Sequence, residues 1–243
     1  MRGMQQQANK VIDALFQQSR SLSKEEKLIP WLDCARSYGL SEKFVGEFLR
    51  SNMCLRQMFT SQASGDTRDV GHIGEYVKLY QVHSATFDSG ILTNTKVHEA
   101  LSKCREEKGW KIGLSVSGPS QDDLFERQCK SKYLVNNQRP HDALIEAHES
   151  VMDIIIKEGL ANGRTLSNPT LKELSSALNC QPDQLALAAI LAQPFQPRVL
   201  SGSVTVDQLR SNLGSFYSIE DPESMSVAER LVSTAGERKC CKS

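Results

Sequence analysis

Short apolar runs alternate with longer runs of helical period along most of the chain, and this alternation constrains the fold more than any other feature. The repeated order of strand then helix is typical of a parallel sheet covered by helices. Besides the run that ends at Asp33, the predicted strands are 57–61, 76–83, 111–116, 132–136, 153–157 and 198–200. The predicted helices are 7–17, a segment beginning at Ser41, 94–107, 141–150, a segment beginning at Thr170, 184–191 and a segment beginning at Val206.

These strands number about seven, against the eight that close a (β/α)₈ barrel of roughly 250 residues. The missing strand is at the front, where residues 1–6 are too few and too polar to form it. Residues 63–74 contain three glycines, which disfavour the helix that a parallel crossover usually carries. The sequence therefore predicts an α/β fold of the TIM-barrel type that is incomplete, lacking its first strand and one crossover helix. Residues 1–215 form this barrel domain, and residues 216–243 form a polar, flexible tail.

Charge and composition exclude several kinds of partner. The 29 basic and 29 acidic residues balance, so no overall field attracts nucleic acid or an anionic membrane. No run approaches the roughly 18 apolar residues that cross a bilayer, and the N-terminal segment lacks the apolar centre of a signal peptide. The seven cysteines are scattered without C-x-x-C spacing, which predicts reduced thiols and no metal site. We therefore expect a cytoplasmic protein.

Three places carry residues that are candidates for catalysis or ligand binding. Asp33 and Tyr38 lie five residues apart where a predicted strand meets a loop, and His83 ends another predicted strand. The segment 202–205, Gly-Ser-Val-Thr, precedes a helix whose N–H groups could hold a phosphate. Each place also has an ordinary interpretation, because such residues commonly serve as a loop hydrogen bond, a half-buried aromatic, a core histidine or a helix cap.

Five short motifs, taken together, resemble the aldo/keto reductase family. The segment 33–39 has the pattern D-x-A-x-x-Y-G, and further similarity lies at 79–85, 111–118, 156–164 and 199–213. The resemblance covers most of residues 11–213. It implies an NAD(P)H-dependent oxidoreductase that reduces aldehydes or ketones to alcohols by hydride transfer. Its partners would be a small carbonyl substrate and NADPH, with NADH as a second cofactor.

The resemblance also implies a catalytic set. Tyr38 would donate the proton, with Asp33 and His83 supporting it. A lysine that relatives place beside the tyrosine is replaced here by Gln62, which can donate a hydrogen bond but has no charge to lower the pKa of the phenol.

For the cofactor, the resemblance implies that Ser117 lies near the nicotinamide. It places Gly202, Ser203 and Thr205 near the adenosine phosphate, Gln208 where an arginine often grips the 2′-phosphate, and Asn212 against the adenine. Without that arginine, we expect a weaker selectivity for NADPH over NADH.

A second interpretation remains open. With Gln62 in place of lysine and elements missing, the chain could be a non-catalytic, truncated relative that binds a nucleotide or a partner. Exposed barrel edges would then favour self-association.

Overall fold

The computed structural model describes residues 2–21, 30–35, 38–51, 59–63, 73–83, 85, 89–115, 134–136 and 141–215, and for 59–63 and 134–136 it describes the backbone alone. These ranges contain seven strands and seven α-helices. The strands are β1 (Leu32–Ala35), β2 (Phe59–Ala63), β3 (Leu79–Val82), β4 (Lys111–Ser115), β5 (Leu134–Asn136), β6 (Ile154–Ile156) and β7 (Arg198–Val199). The helices are α1 (Arg2–Ser21), α2 (Ser41–Ser51), α3 (Thr95–Lys108), α4 (His141–Glu149), α5 (Pro169–Ala177), α6 (Pro182–Leu191) and α7 (Val206–Leu213).

The strands lie side by side in the order in which they occur in the sequence. Every pair from β1 to β6 is parallel. Next to β6, the backbone N–H of Leu200, just after β7, donates to the carbonyl of Ile156, the last residue of β6, at 2.9 Å. A parallel sheet with helical crossovers is the α/β arrangement that the alternating sequence pattern predicted.

Element boundaries differ from the sequence prediction in several places; the predicted strand 57–61, for example, is observed as β2 at Phe59–Ala63. The predicted strand 76–83 is shortened to β3, because residues 73–76 form a turn in which the Tyr76 N–H donates to the Ile73 carbonyl at 2.8 Å. A 3-10 segment, Ala161–Ser167, follows β6 at a place where no element was predicted. Ser41, expected to cap α2, instead donates its hydroxyl to the carbonyl of Ala35 at 3.1 Å and so ties α2 to the end of β1.

The chain separates into two compact units, residues 1–155 and 156–243. The proposed tail, 216–243, lies outside the described residues, as do residues 64–72 of the crossover between β2 and β3. The single domain over 1–215, the missing strand and the missing crossover helix therefore stay predictions. Within the described ranges, no helix is long and apolar enough to cross a membrane.

Register and side-chain alternation divide the sheet of the first unit into two faces. Residues paired across parallel strands share a face, and successive residues along a strand alternate between faces. We call "the first face" the one that carries Asp33, Leu79, Gln81, Lys111 and Ser115. The opposite, second face carries Cys34, Tyr80, Val82, Ile112 and Leu114.

Helix α2 and the short segment between α3 and β4 pack on the second face. The thiol of Cys34 lies 3.1 Å from the hydroxyl of Ser41 in α2, and the ring of Tyr80 stacks on Trp110 with centroids 5.7 Å apart. All four residues of β3 are nevertheless buried, so the first face is covered as well. A strand buried on both sides is the usual state of a parallel sheet. Gln81 and Ser115 of the first face are therefore buried polar side chains, whereas Lys111, at the start of β4, is exposed and pairs with Asp153.

Val151, between α4 and β6, has a backbone conformation that valine rarely adopts. Its φ is 63° and its side chain is 82% exposed, while its N–H closes the end of α4 by donating to the His148 carbonyl at 2.8 Å. The left-handed conformation costs an L-residue about 1–2 kcal/mol, and glycine adopts it without that cost. We expect Val151→Gly to raise the free energy of unfolding by about 0.5–1 kcal/mol, measured by urea denaturation.

Val204 offers a matched control for this substitution. It is also exposed, at 67%, but its φ is not positive. Val204→Gly should leave stability unchanged or lower it, because there glycine only adds freedom to the unfolded chain. Equal effects of the two substitutions would contradict the assignment of strain to Val151.

Candidate functional site

Asp33 is the second of the four residues of β1, and Tyr38 lies beyond the carboxyl end of that strand. Asp33 is half-buried on the first face of the strand, paired in register with Thr60. Tyr38 lies beyond the strand in the turn that leads to α2, and its side chain is 60% exposed. Gly39 follows with a φ of 65°, a value that favours glycine and gives the D-x-A-x-x-Y-G pattern its last member. The phenol is thus open to a ligand that arrives from solution.

His83 directly follows β3 and is half-buried. Continuing the alternation of β3 by one residue places it on the first face, two positions after Gln81. The chain after it runs beside the end of β4, where the Ala85 N–H donates to the Ser115 carbonyl at 3.0 Å. The imidazole Nδ1 is buried. The structure therefore places Asp33 and His83 on the same face of one parallel sheet, with His83 at the carboxyl end of β3 and Asp33 level with Leu79, the first residue of β3.

Gln62 lies in β2, between these two strands. Its register partners are Ala35 on β1 and Gln81 on β3, so its position belongs to the first face. Its side chain lies outside the described part. Ser117, the residue expected near a nicotinamide, also lies outside the described residues.

Two polar residues of the first face were not among the sequence-predicted site residues. Gln81 is 1% exposed and Ser115 is fully buried. The signal that could have found them is the alternation of polar residues at positions 81 and 83, and again at 115 and 117, within strands that are otherwise apolar. Polar groups at every second position of a buried strand indicate that one covered face is polar.

Cys34 is adjacent to Asp33 but belongs to the second face. Burial is the largest cause that raises the pKa of its thiol to about 11, with a smaller opposing effect from the hydrogen bond to Ser41. At neutral pH the thiol is therefore protonated and unsuited to act as a nucleophile. The candidate catalytic groups near Cys34 are therefore the side chains of Asp33, Tyr38 and His83.

In the second unit, the turn after β7 is held by a small polar network. Asn212 of α7 is only 8% exposed, and its amide lies 2.8 Å from the hydroxyl of Ser201 and 2.9 Å from that of Ser203. With its oxygen turned toward the two serines, the amide nitrogen donates to Asp183 Oδ2 at 2.8 Å, which satisfies all these groups. Asn212 thus fixes the serine turn, and its contact with adenine stays a prediction.

Several backbone N–H groups around the start of α7 are already bonded within the turn. The side-chain oxygen of Gln208 accepts from the backbone N–H groups of Val204 at 3.0 Å and Thr205 at 3.3 Å. The Thr205 hydroxyl in turn accepts from the Gln208 N–H at 3.2 Å, completing a capping box. The sequence analysis predicted that the free N–H groups of the helix could hold a phosphate. To reach the N–H groups of Val204 and Thr205, just before the helix, a phosphate oxygen must displace the Gln208 amide oxygen.

Gly202 leaves open space beside this turn. Its φ is 65°, and a Cβ added there would meet no atom within 4 Å. Ser203, Thr205 and Gln208 lie around the same turn and are accessible in part or fully. A turn of small residues with displaceable backbone donors suits the phosphate of a nucleotide.

Solved structures of aldo-keto reductases share the fold of this chain. An aldo-keto reductase from Klebsiella pneumoniae in complex with NADPH aligns with a TM-score of 0.71 at 15% identity, over 96% of this chain and 87% of that one. A holo-form aldo-keto reductase from Bacillus halodurans gives 0.70 at 17% identity, over 93% and 87%. An aldo/keto reductase from Brucella melitensis gives 0.61 at 20% identity, over 82% and 83%.

No protein-family model matches the sequence, and no curated protein does. The likeness to solved structures extends over most of this chain and most of each of the three enzymes. The chain therefore has the fold of the aldo-keto reductases, which is the (β/α)₈ barrel type. The fold that the sequence resemblance implied is confirmed.

Proposed function

We propose that the chain is an NAD(P)H-dependent aldo/keto reductase that reduces aldehydes or ketones to alcohols. The observation that carries the proposal is the joint placement of Asp33 and His83 on one covered face of a parallel sheet, with Tyr38 in the turn that follows β1. The carboxyl ends of the strands, where His83 and Tyr38 lie, carry the active sites of barrel enzymes. The shared fold and the five sequence motifs point to the same family.

In the proposed reaction, Tyr38 donates a proton to the carbonyl oxygen as that oxygen gains negative charge. A phenol has an ordinary pKa near 10, so it needs help to donate at neutral pH. His83 supplies a hydrogen bond that orients the carbonyl and stabilises the developing charge. Asp33, in β1, supports the Tyr38 phenol as the proton donor. Gln62 occupies the position of the family's lysine and carries no charge.

The turn after β7 is the proposed cofactor site, with Gly202, Ser203, Thr205 and Gln208 around the phosphate of NADPH. When bound, the nicotinamide supplies the hydride. A phosphate oxygen can replace the Gln208 amide oxygen on the N–H groups of Val204 and Thr205, since both are hydrogen-bond acceptors. The NADPH complex of the Klebsiella enzyme supports the choice of cofactor. NADH is the alternative, because no arginine occupies position 208.

A second candidate function is a non-catalytic relative that binds a nucleotide or a partner. The observation that favours it is the glutamine at position 62, which removes the cation from the acid site. The two candidates differ in turnover: only the reductase moves hydrogen from the cofactor to an added carbonyl compound. Transfer of deuterium from NADPH labelled at C4 of the nicotinamide separates them, because a nucleotide-binding protein without turnover produces no labelled alcohol.

A further inference from the structure

Asp183, in the first turn of α6, determines how the amide of Asn212 is oriented. Its Oδ2 accepts from the Asn212 amide nitrogen at 2.8 Å, and the backbone carbonyl of Gln208 accepts from the same nitrogen at 3.3 Å. A carboxylate and a carbonyl can only accept hydrogen bonds, so the nitrogen rather than the oxygen must face them. Because Asn212 is only 8% exposed, the opposite orientation would leave buried oxygens facing each other.

The oxygen of the Asn212 amide is thereby turned toward the serines of the turn after β7. It accepts from the hydroxyl of Ser201 at 2.8 Å and from that of Ser203 at 2.9 Å. A serine hydroxyl has one proton and two lone pairs. Because each proton is directed inward at Asn212, the half-buried Ser203 offers only lone pairs to a group that approaches the turn from outside. The carboxylate of Asp183, acting through Asn212, therefore sets the direction of the hydrogen bonds in this turn.

The direction of these hydrogen bonds matters because the two candidate cofactors differ in donor and acceptor groups. NADPH carries a phosphate on the 2′ oxygen of its adenosine ribose, and NADH carries a hydroxyl there. The oxygens of an ionised phosphate accept hydrogen bonds and cannot pair with the lone pairs of Ser203, whereas a ribose hydroxyl can donate to them. The negative charge of Asp183 also opposes a second anion near the turn. For a phosphate, this leaves the backbone N–H groups of Val204 and Thr205.

We propose that Asp183 is a positioning residue that sets cofactor specificity: by fixing the Asn212 amide it keeps the Ser203 proton away from the cofactor and weakens the preference for NADPH over NADH. This inference rests on the proposed function, since it takes the turn after β7 as the adenosine end of the cofactor site. Asp183 acts through Asn212 and not by touching the cofactor. Its effect adds to that of position 208, where glutamine stands in place of an arginine that would grip the 2′-phosphate.

Fluorescence titration of the full chain with NADPH and with NADH tests the inference without any turnover. Leucine branches at the same atom as aspartate but has neither a charge nor a hydrogen-bonding group. In Asp183→Leu the Asn212 nitrogen can therefore turn toward the serines, and Ser203 can donate to the phosphate. We expect NADPH to bind about tenfold more tightly, the effect of one hydrogen bond to a charged group, and the affinity for NADH to change less than about twofold. An unchanged ratio of the two dissociation constants would overturn the inference.

A double-variant comparison separates the direction of the hydrogen bonds from the charge of Asp183. In Ser203→Ala the hydroxyl is absent, so adding Asp183→Leu to that variant removes a charge but frees no Ser203 proton. We expect the second substitution to tighten NADPH binding by about twofold there, against about tenfold in the wild-type background. An equal gain with and without the Ser203 hydroxyl would show that the charge acts alone, and it would overturn the inference.

Asp207→Asn is the matched control for removing a carboxylate close to the turn. Asp207 lies in the first turn of α7, its side chain is 95% exposed, and its Oδ1 lies 3.7 Å from Arg210. Solvent screens such a charge, so this variant should leave the ratio of the NADPH and NADH dissociation constants unchanged. If Asp183→Leu does not fold, Asp183→Ala removes the same carboxylate and should shift the ratio in the same direction.

Nitrogen NMR of the side-chain amides reads the orientation of Asn212 itself. The Asn212 signals are those lost in Asn212→Ser, and we expect them to shift in Asp183→Leu but not in Asp207→Asn. Unchanged Asn212 signals in Asp183→Leu would overturn the inference, even if the protein reduces carbonyl compounds. A ratio of dissociation constants that depends on Asp183, in a protein that reduces no carbonyl compound, would support the inference and count against the reductase. Failure to bind either nucleotide would overturn both.

Discussion

Tyr38→Phe is expected to lower kcat for carbonyl reduction by about 10³-fold, because it removes the only O–H group that the proposed reaction uses as its acid. General acid catalysis contributes about 10²–10⁴-fold, which sets this magnitude. The ring of Tyr38 is 60% exposed, so its hydroxyl contributes little to folding. Steady-state oxidation of NADPH with an aldehyde measures kcat, and fluorescence titration should show NADPH affinity unchanged.

Tyr80→Phe is the matched control for the loss of a hydroxyl. Tyr80 is buried on the second face, where its ring stacks on Trp110, and the substitution keeps that stack. This variant should retain turnover within a few-fold of the wild type. A Tyr38→Phe enzyme that reduces aldehydes at the wild-type rate would show that another group donates the proton.

Gln62→Lys is expected to raise kcat by about 10²-fold. A cation beside a phenol favours the ionised form of that phenol and lowers its pKa, so the proton leaves more readily at neutral pH. The register of β2 between Ala35 and Gln81 puts position 62 on the face that carries Asp33 and His83. The pH dependence of kcat should show its upper limb at lower pH in the lysine variant, because that limb reports the acid.

Gln62→Met separates charge from size in this experiment. Methionine has a length similar to that of glutamine but neither a charge nor a hydrogen-bonding amide, so Gln62→Met should give no rate increase. If Gln62→Lys is folded, binds NADPH and is no faster than the wild type, the side chain at position 62 does not assist proton donation by Tyr38. That result would favour the non-catalytic alternative.

The sequence predicted the order of elements well because that signal is local. The apolar run at 111–116 and the helical period at 94–107 each lie within one element, and β4 and α3 appear within one residue of those ranges. Asn94, the residue just before α3, accepts from two backbone N–H groups as a cap, which short-range chemistry also explains. Strand ends were less predictable, since the turn at 73–76 depends on a backbone hydrogen bond that no pattern encodes.

The site was predicted only in part because its geometry depends on contacts between distant segments. The motif around Asp33 and Tyr38 could be read from adjacent residues, whereas the face shared with Gln81 and Ser115 depends on the register of three strands. The role of Gln208 was also not predicted, although its hydrogen-bond partners lie within four residues of it in the sequence. The resemblance placed it where an arginine often grips the 2′-phosphate, whereas in the structure its side chain takes part in the capping box at the start of α7.

The most direct test of the central claim is hydride transfer itself. The wild-type protein is incubated with NADPH carrying deuterium at C4 of the nicotinamide, in each of its two C4-labelled forms, together with a panel of aldehydes and ketones. We expect one labelled form to yield an alcohol with one deuterium on the former carbonyl carbon, detected by mass spectrometry. Folded protein that binds NADPH but yields no deuterated alcohol from either form would contradict the assignment as a reductase.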